Sequence, residues 1–201
     1  MTTSPVLWII AGVNGAGKTT FYNRFLSSLN IPFINADLIA SKLNPENPNS
    51  VAYKAAGIES QERDVMFKDL KSFCTETVFS HPSKLEMMEQ ARSAGYDIRL
   101  IFIHLGNVEL NKARVVARVR KGGHHVPHEK IEARNPRTWK LIQQAIHLAN
   151  ETWVYDNSSA TDSHRLVMRF NGSHVSEIEF LPQWARQFLS EFQSSIRAKL
   201  E

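Results

Sequence analysis

In the first two-thirds of the chain, short unbroken apolar runs alternate with segments in which apolar residues recur every three or four positions. Residues 6–11 are apolar throughout, with Ile9 and Ile10 adjacent, as in a strand buried on both faces. A helix is predicted from near Gly17 to about Leu29, with Phe21, Phe25 and Leu29 on one face. "IPFINAD" gives a short strand over 32–35, and the Pro- and Asn-rich "LNPENPNS" a loop. Residues 51–71 read as a helix, and "SFCTETVFS" as a strand by its Phe, Thr and Val content. Pro82 opens a helix over 83–94 that Gly95 ends. "DIRLIFIHLG" is a further strand, followed by the helix "NVELNKARVVARVRK" with Asn107 as its cap.

"GGHHVPHEK" interrupts that pattern. Pro127 is expected in the first turn of a short helix reaching Arg134. Asn135-Pro136 is expected to start a longer one to Asn150, whose stripe is Leu141, Ile142, Ala145, Ile146 and Ala149. "TWVYD" is a strand, and "HRLVMRFNGSHVSEIEF" a hairpin turning on Asn171-Gly172. In the tail, Trp184, Phe188, Phe192, Ile196 and Leu200 repeat every four residues. That stripe marks an amphipathic helix, packed on the core or presented to a partner.

Strands alternating with helices specify an α/β fold with a parallel sheet covered on both faces and ligands at the carboxyl ends of the strands. A length of 201 residues suits one domain, with a lid segment at about 119–137. Apolar content of 42% and charged content of 22% exclude a disordered chain. A net charge of +4 slightly favours anionic ligands, and the basic residues thicken between Lys112 and Lys140. Cys74 is the single cysteine, which suits a reducing compartment. With no basic leader and no long apolar run, a cytoplasmic location without membrane contact is expected.

The candidate chemistry starts at Gly12-Val13-Asn14-Gly15-Ala16-Gly17-Lys18-Thr19, a G-x-x-x-x-G-K-T between a strand and a helix start. This is the signature of a P-loop NTPase fold. Gly12, Asn14, Gly15, Ala16, Gly17, Lys18, Thr19 and Thr20 form the candidate nucleotide-binding set. Backbone N–H groups face phosphate, Lys18 reaches the β- and γ-phosphates of ATP, and the Thr19 hydroxyl is the candidate Mg²⁺ ligand. A motor-type ATPase would carry an acid after its second apolar strand, but "RLIFIH" ends in His104 and Leu105. A GTPase would carry N-K-x-D, and Asn111-Lys112 is followed by Ala113-Arg114.

Asp37 lies 19 positions after Lys18, just past the second strand. A carboxylate there can take the proton of an attacking hydroxyl, and it can equally cap the following helix. Arg114 and Arg118 share a helix face, while Arg120, Lys121, Arg134 and Arg137 flank the Gly-Gly break. Two Arg-rich helix ends hinged by glycine resemble a lid over polyphosphate more than a solvated face. His124, His125 and His128 have no zinc-type spacing and are assigned to lid positioning or the surface. Glu76 suits acceptor hydroxyls or a lid arginine.

The ordered set "GVNGAGKTTF", "FINADLIA", "TETVFSHPSK", "AGYDIRLIFIHLGNVELNKARVVARVRKGGHHVP" and "WVYDNS" resembles the zeta toxin family of P-loop kinases over residues 6–158. Some members of that family phosphorylate UDP-N-acetylglucosamine. The resemblance implies that Asp37 is the general base and that Arg118 and Arg134 embrace the transferred phosphoryl group. It places Glu76 near the acceptor, and Asp156-Asn157 beside the nucleotide base or in a turn. It implies ATP and Mg²⁺ as cofactors, a small-molecule acceptor, and an antitoxin, if any, on a separate chain. The "GGH" lid is closer to small chromosomal members, whose acceptor the family name leaves open. Another acceptor, such as a nucleoside or an antibiotic, is the first alternative. A nucleotide-dependent nucleic-acid-binding protein is the second, though no aromatic and basic interleaving supports it.

Overall fold

The computed structural model describes residues 4–123 and 125–197. His124 and Leu200 of the sequence reading lie outside them. In it, β1 (Val6–Ala11) is flanked on both edges by parallel partners, β3 (Phe73–Thr77) and β4 (Asp97–His104). That central place explains its unbroken apolar run: Leu7, Ile9, Ile10 and Ala11 are all fully buried. β2 (Phe33–Ile34) lies outside β3, and β5 (Glu151–Asp156) outside β4, both parallel. The hairpin of β6 (Arg165–Asn171) and β7 (His174–Ile178) adds antiparallel to β5, so it extends the same sheet, in the order β2-β3-β1-β4-β5-β6-β7. The predicted α/β P-loop architecture is therefore what forms. Because the chain passes to opposite sides of β1, the carboxyl end of β1 is a topological switch point, where a crevice opens.

The helix after β1 departs from its predicted form. It begins as α1 (Lys18–Phe21), widens into a π turn over Tyr22–Leu26 and tightens to a 3-10 turn over Ser27–Leu29. The wide turn shifts the helical phase, so Phe21 and Leu26 are buried while Phe25 and Leu29 are 43% and 46% exposed. α2 (Ala36–Leu43) and α3 (Ala52–Lys68) follow β2, and α4 (Ser83–Ser93) follows β3. α5 (Val108–Val119) starts at Asn107, whose side chain accepts from the Glu109 N–H as a cap should.

The next helix also differs. α6 runs unbroken over His128–Ile146 with Pro136 inside it, and Pro127 stands just before its first turn. Proline removes one backbone donor from a helix. Tertiary packing holds α6 together across that gap: Ile131 and Thr138 are buried on either side of it, with Ile142, Ala145 and Ile146 beyond. The hairpin turns on Gly172 and Ser173, one position later than expected, since Asn171 pairs with His174. α7 (Gln183–Arg197) lays Trp184, Phe188 and Phe192 into the main core with Ile196 against it, so the tail stripe faces inward. Among the described residues no helix is long and apolar enough to cross a membrane.

Candidate active site

The turn over residues 12–17 has positive φ at Gly12, Gly15 and Gly17. A side-chain carbon at Gly15 would lie 2.5 Å from the Asn111 carbonyl oxygen, and one at Gly17 2.4 Å from the Asn157 amide nitrogen. Glycine is thus required for backbone shape and for the closeness of neighbouring segments.

Those neighbours fix the loop. Asn111 Nδ2 donates to the Asn14 carbonyl at 2.9 Å, and Asn157 Nδ2 to the Ala16 carbonyl at 2.7 Å. The His164 ring bonds the Gly17 carbonyl through Nε2 at 3.1 Å, and since a carbonyl only accepts, Nε2 carries the proton. His164 N–H in turn donates to Asn157 Oδ1, and Arg114 to the Asn157 carbonyl. With its carbonyls tied outward, the loop presents its N–H groups inward, as an anion cradle needs.

Lys18 is buried at the cradle, and that burial pushes its ammonium below the ordinary lysine range. The charges of Glu76 and Asp37 oppose the shift, and Arg118 reinforces it. Glu76 sits at the end of β3, in register with Ile10 of β1. One of its oxygens accepts from Thr19 Oγ1 at 2.7 Å and from Asn35 Nδ2 at 2.9 Å, and the other lies 3.7 Å from Lys18 Nζ. The acid sought on the strand ending in His104 therefore stands on the other neighbour of β1. Thr19 and Glu76 offer a hydroxyl and a carboxylate, the hard oxygen donors that suit Mg²⁺ alongside phosphate. Among the described residues no cluster of three His, Cys, Asp or Glu forms a metal site on its own.

Asp37 is not the cap of α2. Asn35 is, its Oδ1 accepting from the N–H groups of Asp37 and Leu38. The Asp37 carboxylate is exposed in the first helical turn and lines a cleft of about 670 Å³ with Lys18, Glu76, Lys84 and Arg134. Arg134 donates to Asn14 Oδ1 at 2.8 Å. Burial first, then the charge of Arg137, holds its guanidinium below the arginine range, opposed by Asp37. A second cleft of about 630 Å³ is lined by Gly15, Gly17, Thr19, Thr20, Arg114 and Arg118, and reaches Asn157 and His164. The two clefts share Lys18 and Glu76.

The chain leaving α5 and the chain entering α6 are both packed down. Val13 of the loop, Val115 of α5, Val126 just before α6 and Ile131 within α6 form a small buried cluster. Gly123 packs so closely on Arg118 that a side-chain carbon there would lie 2.5 Å from Arg118 Cγ. His125 lines the first cleft, and His128 opens α6.

Nearly all the sequence-derived site residues gather here. Asp156 does not: its carboxylate accepts from Trp184 Nε1 at 3.1 Å and from the Ser158 N–H at 2.6 Å, away from the nucleotide cleft. Successive residues at a strand end point to opposite faces, so Asn157 turns to the loop as Asp156 turns away. Asn35, Asn111 and His164 were missed. A cap signal at Asn35 precedes α2, but Asn111 and His164 lie 97 and 147 positions from the atoms they bind, beyond any local pattern.

Comparison with known proteins agrees with this architecture. A family model described as an AAA domain matches residues 7–138. An uncharacterized protein of Haemophilus influenzae is 29% identical over 140 residues, covering 64% of this chain and 96% of that protein. The crystal structure of AvrRxo1-ORF1:-ORF2 with ATP aligns at a TM-score of 0.72 and 12% identity, over 94% of this chain. The chain spans 63% of the length of that protein. The PezAT chromosomal toxin–antitoxin system of Streptococcus pneumoniae gives a TM-score of 0.60 at 18% identity, covering 100% of this chain and 89% of that one. At such identities the likeness is one of fold.

Proposed function

The chain belongs to the AAA domain family, and from that premise we propose that it is an ATP-dependent kinase phosphorylating a hydroxyl of a small anionic acceptor. The observation that carries this reading is the meeting of two clefts at Lys18 and Glu76. A hydrolase needs room only for nucleotide and water; a transferase needs a second cleft opening on the same phosphoryl group. The cleft with Thr19, Thr20, Arg118 and Asn157 takes the nucleotide, and the cleft with Asp37 takes the acceptor.

In the proposed reaction the acceptor oxygen forms a bond to the γ-phosphorus as the bond from that phosphorus to the β,γ-bridging oxygen breaks. The hydroxyl proton passes to the Asp37 carboxylate. Lys18, Arg118 and Arg134 neutralise the charge spread over the phosphoryl oxygens. Thr19, with Glu76 beside it, would hold Mg²⁺, which would supply further charge neutralisation on the phosphates. Arg118 on α5 and Arg134 on α6, brought together over the bound phosphates, would exclude water and so direct the phosphoryl group to the alcohol. The AvrRxo1-ORF1:-ORF2 structure, which shares this fold, was solved with ATP, which supports ATP as the nucleotide here. A UDP-sugar such as UDP-N-acetylglucosamine is the first acceptor proposed for testing.

The test is incubation with ATP, Mg²⁺ and a panel of small alcohols that includes UDP-sugars, nucleosides and sugar phosphates. ADP release that depends on one acceptor and yields a new phosphomonoester is the expected result, and Lys18→Ala should abolish it together with ATP binding. ADP release at one rate with or without every acceptor would identify a hydrolase instead.

A further inference from the structure

Beside the cleft with Asp37 lies a groove of about 450 Å³ between α6 and the turn after β3, lined by Ser80, His81, Lys130, Arg134 and Arg137, with Glu129 as its one carboxylate. Lys130 and Arg134 line both spaces.

The turn that forms one wall is strained. Phe79 is fully buried at a φ of +59°, a left-handed conformation that bulky residues rarely take. Such strain persists only where surrounding structure imposes it, and it gathers at ligand sites. Here the Phe79 N–H donates to Thr77 Oγ1, and Thr138 Oγ1 of α6 donates to the Val78 carbonyl, so the two walls are bonded together. The turn carries Ser80 and His81 to the groove. His81 Nδ1 accepts from the Ser83 N–H at 3.2 Å, which leaves the ring proton on Nε2.

The groove is therefore rich in donors: a hydroxyl, an imidazole N–H, an ammonium and two guanidinium groups. Among the described residues, the ion pair that α6 makes runs from Glu132 to Lys112, and none engages Lys130, Arg134 or Arg137. Arg137 is tethered by Nε to the Ala133 carbonyl at 2.8 Å. Its charge falls on Arg134 and helps to hold that guanidinium down. Gathered like charges destabilise the fold until an anion joins them.

We infer that this groove is a subsite for a second phosphoryl group of the acceptor, carried away from the hydroxyl that reacts at Asp37. The inference rests on the reading of the adjoining cleft as the acceptor site, and it narrows the acceptor to a phosphorylated small alcohol. Nucleic acid fits less well, because among the named lining residues the only ring is the His81 imidazole, so bases have no stacking platform.

The experiment is calorimetric titration of inorganic pyrophosphate into the full chain with its nucleotide cleft saturated by a non-hydrolysable ATP analogue. Binding of pyrophosphate is expected. Arg137→Ala combined with His81→Ala should weaken it roughly tenfold or more, with affinity for the ATP analogue unchanged. Arg137→Lys alone, which keeps the charge and loses the planar fork, should fall between. No pyrophosphate binding to the analogue-loaded protein, or equal binding by the double variant, would overturn the subsite. Acceptor-dependent phosphomonoester formation by the same preparation with ATP reports separately on the kinase reading. Oligonucleotides that bind more tightly as they lengthen would also overturn the small-molecule form of the inference.

Discussion

Gly17 carries the tightest constraint in the site. Its φ of +97° is unfavourable to any side chain, and a side-chain carbon would collide with Asn157 and press on His164. Gly17→Ala should abolish nucleotide binding and lower the Tm, which binding and melting measurements on one preparation would check. Asn157 and His164 also show what the sequence could and could not reveal. The loop itself was legible because its residues are consecutive. "WVYDNS" marked Asn157, but nothing local separated it from Asp156, whose side chain turns to Trp184. His104 gives a titration prediction. It is buried among Trp139, Trp184 and Phe102, and burial pushes its pKa down to about 4. The unfolded chain therefore takes up a proton near pH 6.5 that the folded protein refuses until about pH 4. Stability from this group is complete above pH 6.5 and is lost by up to about 3 kcal/mol as pH falls to 4. Denaturant titrations across that range should show the fall, and His104→Gln should flatten it.

At the scale of elements, α2 decides where the proposed base stands. Asn35 caps it by accepting from Asp37 and Leu38, and also donates to Glu76, so one side chain links the acceptor cleft to the Thr19 hydroxyl. Asn35→Ala should cost about 1 kcal/mol of stability and lower the rate of phosphoryl transfer more than the affinity for ATP. Denaturation and steady-state kinetics would check the two effects. The order and type of the elements were legible because each apolar run has a clear period. The exceptions are tertiary. The π turn after α1 moves Phe25 outward, and packing carries α6 through Pro136, where a sequence reading breaks it. Neither outcome is encoded within one turn of the residues concerned.

At the scale of the molecule, the sheet order brings β3, with Glu76 at its end, against the β1 loop, and α6 brings Arg134 to Asn14. The two clefts are a product of this topology, which the alternation of strands and helices implied only as a parallel sheet. The C-terminal helix closes the far face: Phe188 is fully buried and packs on Phe102 and Trp139. Phe188→Ala should cost about 3–5 kcal/mol, read from urea denaturation. The central claim, that one carboxylate activates an acceptor beside a triphosphate cradle, is tested most directly by single-turnover transfer of labelled γ-phosphate in Asp37→Asn. The account predicts a loss of transfer of roughly a hundredfold or more with ATP affinity preserved. Transfer at the wild-type rate by that variant would contradict it.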